Sequence, residues 1–297
     1  MVVKVFICTL WACFCWGLNP LEVNDVCVPS NGKRQPLVVD TYNKGIIYPT
    51  AKCGKDGKGE TFASKNDLKL VCTLRNTNEY GKGECDRVSY ARLKHVPSDN
   101  PCRVYTVGFE FSDFSHEIFS FCWDYGYMYP VWVRHLANPM IDRKTVDRKI
   151  RTNFRYFKET FGMEYNPKYY YTKQNQDVLN ITCGKDYLAR GHLSPSGDFF
   201  LASERWATFT LENVVPQWQS HNNNAWKEIE NQVRNLNNSY RIETKPVFYE
   251  EMDVVYLDVT NTRIPVPHAL RKTVYDTGGQ VIYNMLSNMT SLCNKAQ

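Results

Sequence analysis

Residues Leu188-Ala-Arg-Gly-His-Leu-Ser-Pro-Ser-Gly-Asp198 put a cation, a glycine and an imidazole in three successive positions. The chemistry that suits such a set is hydrolysis of a phosphodiester. That reaction needs a base to deprotonate water and positive charge to meet the phosphorane-like state. His192 suits the first task because imidazole titrates near neutral pH. Arg190 suits the second because guanidinium stays charged and can grip two phosphate oxygens. Alone the triplet says little, since a lone histidine is more often structural.

A second block supplies what the first lacks. Asn213-Val-Val-Pro-Gln-Trp-Gln-Ser-His-Asn222 runs into Asn223-Asn-Ala-Trp-Lys-Glu-Ile-Glu230, and Arg234 follows. Trp226, Ile229, Val233 and Leu236 recur at helical spacing, which predicts a helix from Asn222 to about Leu236. Eight residues of helix give a rise of roughly 12 Å and a rotation of about 80° beyond whole turns. Asn222 and Glu230 then cannot easily share the inner shell of one ion. With Asn222 as ligand, Glu230 would hold the ion's waters. Magnesium, a hard octahedral ion that keeps most of its waters, fits that description. Two plainer readings stand beside it: Asn222 as the helix N-cap, and Glu230 with Arg234 as an exposed i,i+4 pair. His221 is read as a bystander.

Together these blocks resemble the DNA/RNA non-specific endonucleases with a ββα-metal active site. The resemblance is carried by Arg190-Gly-His192, Asn213-x-x-Pro-Gln217 and Asn222-x-x-x-Trp226-x-x-x-Glu230, in matching order and gaps from about Leu188 to Arg234. Val266-Pro-His-Ala-Leu-Arg-Lys272 is similar to the family's late Val-Pro…Lys strand. The resemblance implies His192 as general base, Asn222 as metal ligand and Glu230 as anchor of metal-bound water. It further implies Asn213 as a positioning group, with Arg190 and Arg234 stabilising the phosphate and the developing charge. The implied cofactor is Mg2+, with Mn2+ as its substitute. The implied activity is cleavage of DNA and/or RNA with little sequence specificity, leaving 5′-phosphate ends. The chain departs from the family at Ala189, where an Asp is usual, which raises the question of how the Arg190 loop is held. For the family's additional upstream arginine, Arg143, Arg148 and Arg151 are the candidates. The rival class is a secreted nucleic-acid-binding protein with weak or no nuclease activity.

The rest of the chain must position these groups. Its 297 residues are 43% apolar and 23% charged, enough for a sizeable core. A net charge of +5 is compatible with an anionic partner without requiring one. Residues 1–17 read as a signal peptide: Lys4, an apolar run from Val5 to Trp16, then Cys15 and Gly17 as small residues before the cut. Three of the 11 cysteines fall inside it, and the eight that remain suit a disulfide framework whose pairing the sequence leaves open. Sequons at Asn180, Asn237 and Asn288 agree with export, so the expected location is extracellular, with no membrane segment after cleavage.

Residues 18–100 read as a Cys-rich, β-rich, disulfide-stapled region, and 101–297 as the endonuclease domain. Strand patterns cover Val104–Phe111, Ile118–Asp124, Tyr129–Leu136, Asp253–Val259 and Arg271–Tyr275. Val146, Ile150, Phe154 and Phe157 predict a helix over Asp142–Glu159, with a basic face that includes Arg148, Arg151 and Arg155. That face is either solvated or set against phosphates. The expected architecture is α+β: a central antiparallel sheet with helices and a ββα-metal active-site motif.

Overall fold

The computed structural model describes residues 91–110, 115–137, 152–182, 184–199, 202–236 and 240–289, together with three earlier backbone strands. The signal-peptide reading, Asn237 and the candidates Arg143, Arg148 and Arg151 lie outside the described residues. Two units are present: Met1–Ser89 with Glu110–His116, and Tyr90–Phe109 with Glu117–Gln297. In the first, β1 (Val23–Ser30), β2 (Lys33–Asp40) and β3 (Gly45–Ile46) form a three-stranded sheet with antiparallel pairing.

The second unit is built on a seven-stranded sheet. Its strands are β4 (Arg92–Val96), β5 (Arg103–Glu110), β6 (Ser115–Asp124), β7 (Tyr129–Ala137), β10 (Tyr240–Val247), β13 (Ala269–Tyr275) and β14 (Val281–Asn288). Their spatial order is β14-β13-β10-β7-β6-β5-β4. Aromatic and β-branched residues make β6 a central strand: Phe119, Phe121 and Trp123 are all buried. Cys102 and Cys122 form a disulfide across a sequence separation of 20, a loop closure that contributes on the order of 3 kcal/mol.

Two short ribbons lie outside the sheet. One pairs β8 (Leu188–His192) with β9 (Val214–Trp218), and the other pairs β11 (Tyr256–Asp258) with β12 (Arg263–Pro265), both antiparallel. The helices are short: α1 (Lys158–Phe161), α2 (Pro167–Tyr170), α3 (Lys173–Val178) and α4 (Ala202–Ala207). The longest helical run is α5 (Gln219–His221), a π turn (Asn222–Trp226) and α6 (Lys227–Arg234), continuous in backbone conformation. It docks on the sheet through Val233, which packs with Ala137, Tyr240, Ile242 and Val274. Among the described residues no helix is long and apolar enough to cross a membrane.

Two expectations need correction. The helix predicted over Asp142–Glu159 is absent from residues 152–157. There the chain is extended: Arg155 bridges Thr210, its N–H donating to the Phe209 carbonyl at 2.9 Å and its carbonyl accepting from Leu211 N–H at 2.8 Å. The spacing of Phe154 and Phe157 misled because each serves a different partner: Phe154 packs on His192 and Phe209, and Phe157 precedes α1. The helix expected to open at Asn222 begins three residues earlier, at Gln219. Asp186 explains this start. Its carboxylate accepts from Ser220 N–H at 3.0 Å and Ser220 Oγ at 2.6 Å, satisfying a first-turn donor from outside the helix.

Candidate active site

Strand β8 carries Arg190 and His192 two residues apart, so alternation sends both side chains to one face and Ala189 and Gly191 to the other. Both ends of β8 are clamped by side-chain amides. Buried Gln176 exchanges two hydrogen bonds with the Leu188 backbone, at 2.8 and 2.9 Å. Asn213, fully buried, accepts from Ser194 N–H at 2.9 Å and donates to the carbonyls of Ser194 at 2.8 Å and Thr208 at 2.9 Å. Asn213 therefore acts through the backbone around His192. Gly191 is dictated by close approach: a Cβ there would overlap the Gln217 side chain, coming within 2.6 Å of its Cβ.

The face shared by Arg190 and His192 is aromatic. The His192 ring lies 5.1 Å from Phe154 and 5.0 Å from Phe209. The Arg190 guanidinium lies 5.4 Å from Phe154 and 5.3 Å from Tyr171. Burial lowers the pKa of both groups, His192 to about 4. His192 Nε2 and Arg190 Nε are buried without a hydrogen-bond partner. Among the described residues no carboxylate pairs with Arg190. A half-buried cation without a counter-ion is costly to keep, which marks the place where an anion would be welcome. The segment bearing Phe154 is fixed by buried Glu212, which accepts from Phe157 N–H at 2.7 Å and Thr160 Oγ1 at 2.6 Å.

Asn222 follows the β8–β9 ribbon on the helix, so the order is strand, strand, helix. Because the helix starts at Gln219, Asn222 is an internal residue and the N-cap reading is excluded. It lies in the π turn, half-buried, whereas Asn223 and Asn224 are exposed. The turn also revises the angular argument. A π turn takes up about one extra residue, so eight residues rotate roughly as seven would in an α-helix. That is about 700°, within about 20° of two full turns. Asn222 and Glu230 thus share a face, roughly two turns apart.

The sequence profile of the DNA/RNA non-specific endonucleases matches residues 100–296. A salivary endonuclease of Lutzomyia longipalpis is 30% identical over 248 residues, which is 71% of this chain and 56% of that protein. The chain belongs to the DNA/RNA non-specific endonuclease family. It spans little more than half the length of that relative.

Within this family member, Glu230 and Arg234 are not an exposed pair. Arg234 donates to Glu230 at 3.1 Å and to buried Asp198 at 2.6 Å, and Asp198 also bonds His135 Nε2 at 3.0 Å. Gly197 leaves the room, since a Cβ there would stand 3.1 Å from the Arg234 guanidinium. Burial alone would raise the Asp198 carboxyl, but Arg234 and His135 outweigh it and hold it below its ordinary range. Burial raises Glu230 against the opposing pull of Arg234 and Lys272. Lys272 is fully buried. It donates to Thr244 Oγ1 at 3.0 Å and the Leu193 carbonyl at 3.5 Å, and its ammonium sits 5.0 Å from the Trp226 ring centre. It thereby touches the residue after His192, the end of the π turn and the field around Glu230.

Asp198, His135 and Lys272 are the residues that sequence reasoning missed. Asp198 closes the Arg-Gly-His stretch and Lys272 ends the Val-Pro…Lys strand, so both were within quoted motifs. His135 carried no signal. His221, read as a bystander to the metal, has a structural place: buried, it bonds Gln217 through Nδ1 and Ser287 through Nε2, both at 2.8 Å.

Proposed function

We propose that the chain is a secreted, divalent-metal-dependent endonuclease that hydrolyses DNA and/or RNA with little sequence specificity, leaving 5′-phosphate ends, with His192 as general base. The observation that carries this reading is Arg190, partly desolvated and without a carboxylate partner among the described residues, on the same strand face as His192. A scissile phosphate supplies the missing anion and places water near the imidazole. His192 Nε2 is buried without a hydrogen-bond partner among the described residues. With its pKa at about 4, His192 is unprotonated at neutral pH and ready to act. Arg190 grips the non-bridging oxygens as charge builds on them. Backbone charge, without base readout, implies little sequence preference.

The family generally depends on a divalent metal. Among the described residues no cluster of three or more His, Cys, Asp or Glu could cage an ion. The donor set instead suits a hydrated ion with few protein ligands. Asn222 would hold Mg2+, or Mn2+ in its place, through its amide oxygen, and Glu230 on the same helical face would anchor its waters. When bound, the ion would neutralise charge on the phosphate and the leaving oxygen. Asn213, Arg234 and Lys272 hold these groups in register. Secretion is supported by the leader-like residues 1–17, the eight remaining cysteines and exposed sequon residues Asn180 and Asn288. Residues 18–100 would then lead into a catalytic domain of 101–297 whose sheet also takes in β4 (Arg92–Val96) from that preceding region.

The test is purified protein incubated with plasmid DNA and with RNA in Mg2+, with and without chelator, followed by analysis of the ends. Cleavage that the chelator stops, with 5′-phosphate ends, is expected. Binding without turnover would sink the nuclease reading and leave a nucleic-acid-binding protein.

A further inference from the structure

We infer that the tyrosines around α2 form a stacking subsite for unpaired bases of a single-stranded substrate, next to the phosphate site. The inference rests on the nuclease reading above and names the strand state that this site favours.

Rings run in contact from the core to the surface here. Buried Trp123 meets Phe161 at 4.9 Å, Phe161 stacks on Tyr165 at 6.1 Å, and Tyr165 stacks on Tyr170 at 5.3 Å. Tyr170 meets Tyr169 edge-on at 5.4 Å, and Tyr169 is 47% exposed. An ordinary core cluster would end at the buried rings. This one continues into solvent, and its backbone is pinned. Thr172 Oγ1 donates to the Tyr169 carbonyl at 2.6 Å, and Asn175 Nδ2 donates to the carbonyls of Tyr170 and Leu257, each at 3.0 Å. Tyr165 OH donates to Asp258 at 2.7 Å. A platform fixed in advance loses little entropy when a ligand lies on it.

Two further features select the ligand. The strip is continuous with the candidate centre, because Tyr171, the residue after Tyr170, packs 5.3 Å from the Arg190 guanidinium. Cations also border it: Arg263 lies 5.5 Å from the Tyr165 ring and Lys168 lies 5.8 Å from the Tyr156 ring. Aromatic faces with interleaved cations match the alternating bases and phosphates of a single strand. In a duplex the base faces are already stacked and unavailable. The strip therefore adds affinity for unpaired strands and nothing for paired ones.

The test uses the full chain with a single-stranded oligonucleotide and the perfect duplex of the same sequence. Binding is read without metal, by fluorescence anisotropy and by quenching of a 2-aminopurine in the strand. Cleavage is read with Mg2+. One lost stack should weaken single-strand binding by roughly five- to 150-fold. Tyr169→Ala should show that loss, raise KM on the single strand and leave kcat and duplex binding within about twofold. Tyr169→Phe should restore binding. Equal losses on both substrates, or unchanged quenching in Tyr169→Ala, would overturn the subsite. No cleavage by the wild-type chain would overturn the nuclease reading instead, while the metal-free comparison still decides the strip.

Discussion

Two arginines of this chain lie close to the proposed catalytic groups and live in opposite circumstances. Arg234 is held between Asp198 and Glu230, each within 3.1 Å, and these acidic partners raise its pKa against burial. Arg190 is packed between Phe154 and Tyr171 with no acidic partner among the described residues, and burial lowers its pKa. A fully paired cation fixes structure, because breaking its contacts strands buried charge. An unpaired, desolvated cation holds interaction capacity in reserve for something that arrives later. Under the proposed function, the difference separates the face that would meet substrate from the region that keeps this face in place.

The largest test of that division is at the substrate face itself. His192→Ala should lower kcat by about 10²–10⁴ while thermal stability and DNA binding stay near wild type. The pH profile sharpens it. Burial lowers His192 to about 4, so its neutral form should support activity down to an acid limb near that pH. The stability sign follows from the same shift. Between about 4 and its ordinary value, the unfolded chain binds a proton that the folded chain does not. Its stability contribution is therefore complete above the ordinary value and lost as pH falls toward 4. An acid limb that stays unmoved in a variant such as Phe154→Leu, which opens the aromatic enclosure, would detach the limb from His192.

Asn222→Ala should come next, with a large loss of activity and a raised Mg2+ requirement. Asn223→Ala and Asn224→Ala should change activity by less than about twofold. Asn224 donates to the Ser220 carbonyl at 2.7 Å, so its removal touches only the helix. Equal losses at all three positions would remove Asn222 as ligand, and capping can no longer explain a loss there because the helix starts at Gln219.

The arginine pair gives the crossed result. Arg234→Met should lower stability by about 3–5 kcal/mol, measured by urea unfolding, because it removes the guanidinium that Asp198 and Glu230 share. Arg190→Met should leave stability unchanged or higher while lowering kcat by roughly 10²–10³. If both variants lost stability alike, Arg190 would have a structural partner and the division would fail.

What the sequence made legible, and what it did not, follows the range of the interactions. His192, Arg190, Asn213, Asn222 and Glu230 stand in contiguous blocks whose residue types carry chemistry, so the sequence offers them as candidates. Trp226, Ile229 and Val233 announced a docked helix because burial imposes a period. Nothing in Asn222-Asn-Asn-Ala-Trp226 announces a π turn, so the angle between Asn222 and Glu230 differs from the α-helical value that the spacing predicts. His135 and Lys272 reach the network from β7 and β13, strands brought beside Asp198 and Glu230 only by the tertiary fold. Strand β14 was missed because Asn284 and Ser287 interrupt its apolar alternation. Over residues 152–157 the helical spacing was a period coincidence, since Phe154 points to His192 from an extended segment.

The smallest expected effect concerns Ala189, where the family usually carries an acid. Alternation along β8 turns Ala189 away from Arg190 and His192, toward the side where Gly191 meets Gln217. Its pairing partner across the ribbon is Gln217, which in turn bonds His221. The loop that an acid here might be thought to steady is already held at both ends, by Gln176 at Leu188 and by Asn213 at Ser194. A carboxylate introduced at Ala189 would thus find its structural task done and would lose hydration on a half-buried face. Ala189→Asp should therefore change kcat by less than about threefold and lower stability by about 1 kcal/mol, the scale for a partly buried polar group with incomplete pairing. A tenfold gain in kcat on plasmid DNA would show the opposite: that the two amide clamps leave Arg190 loosely placed, and that the substrate face depends on the far side of its own strand.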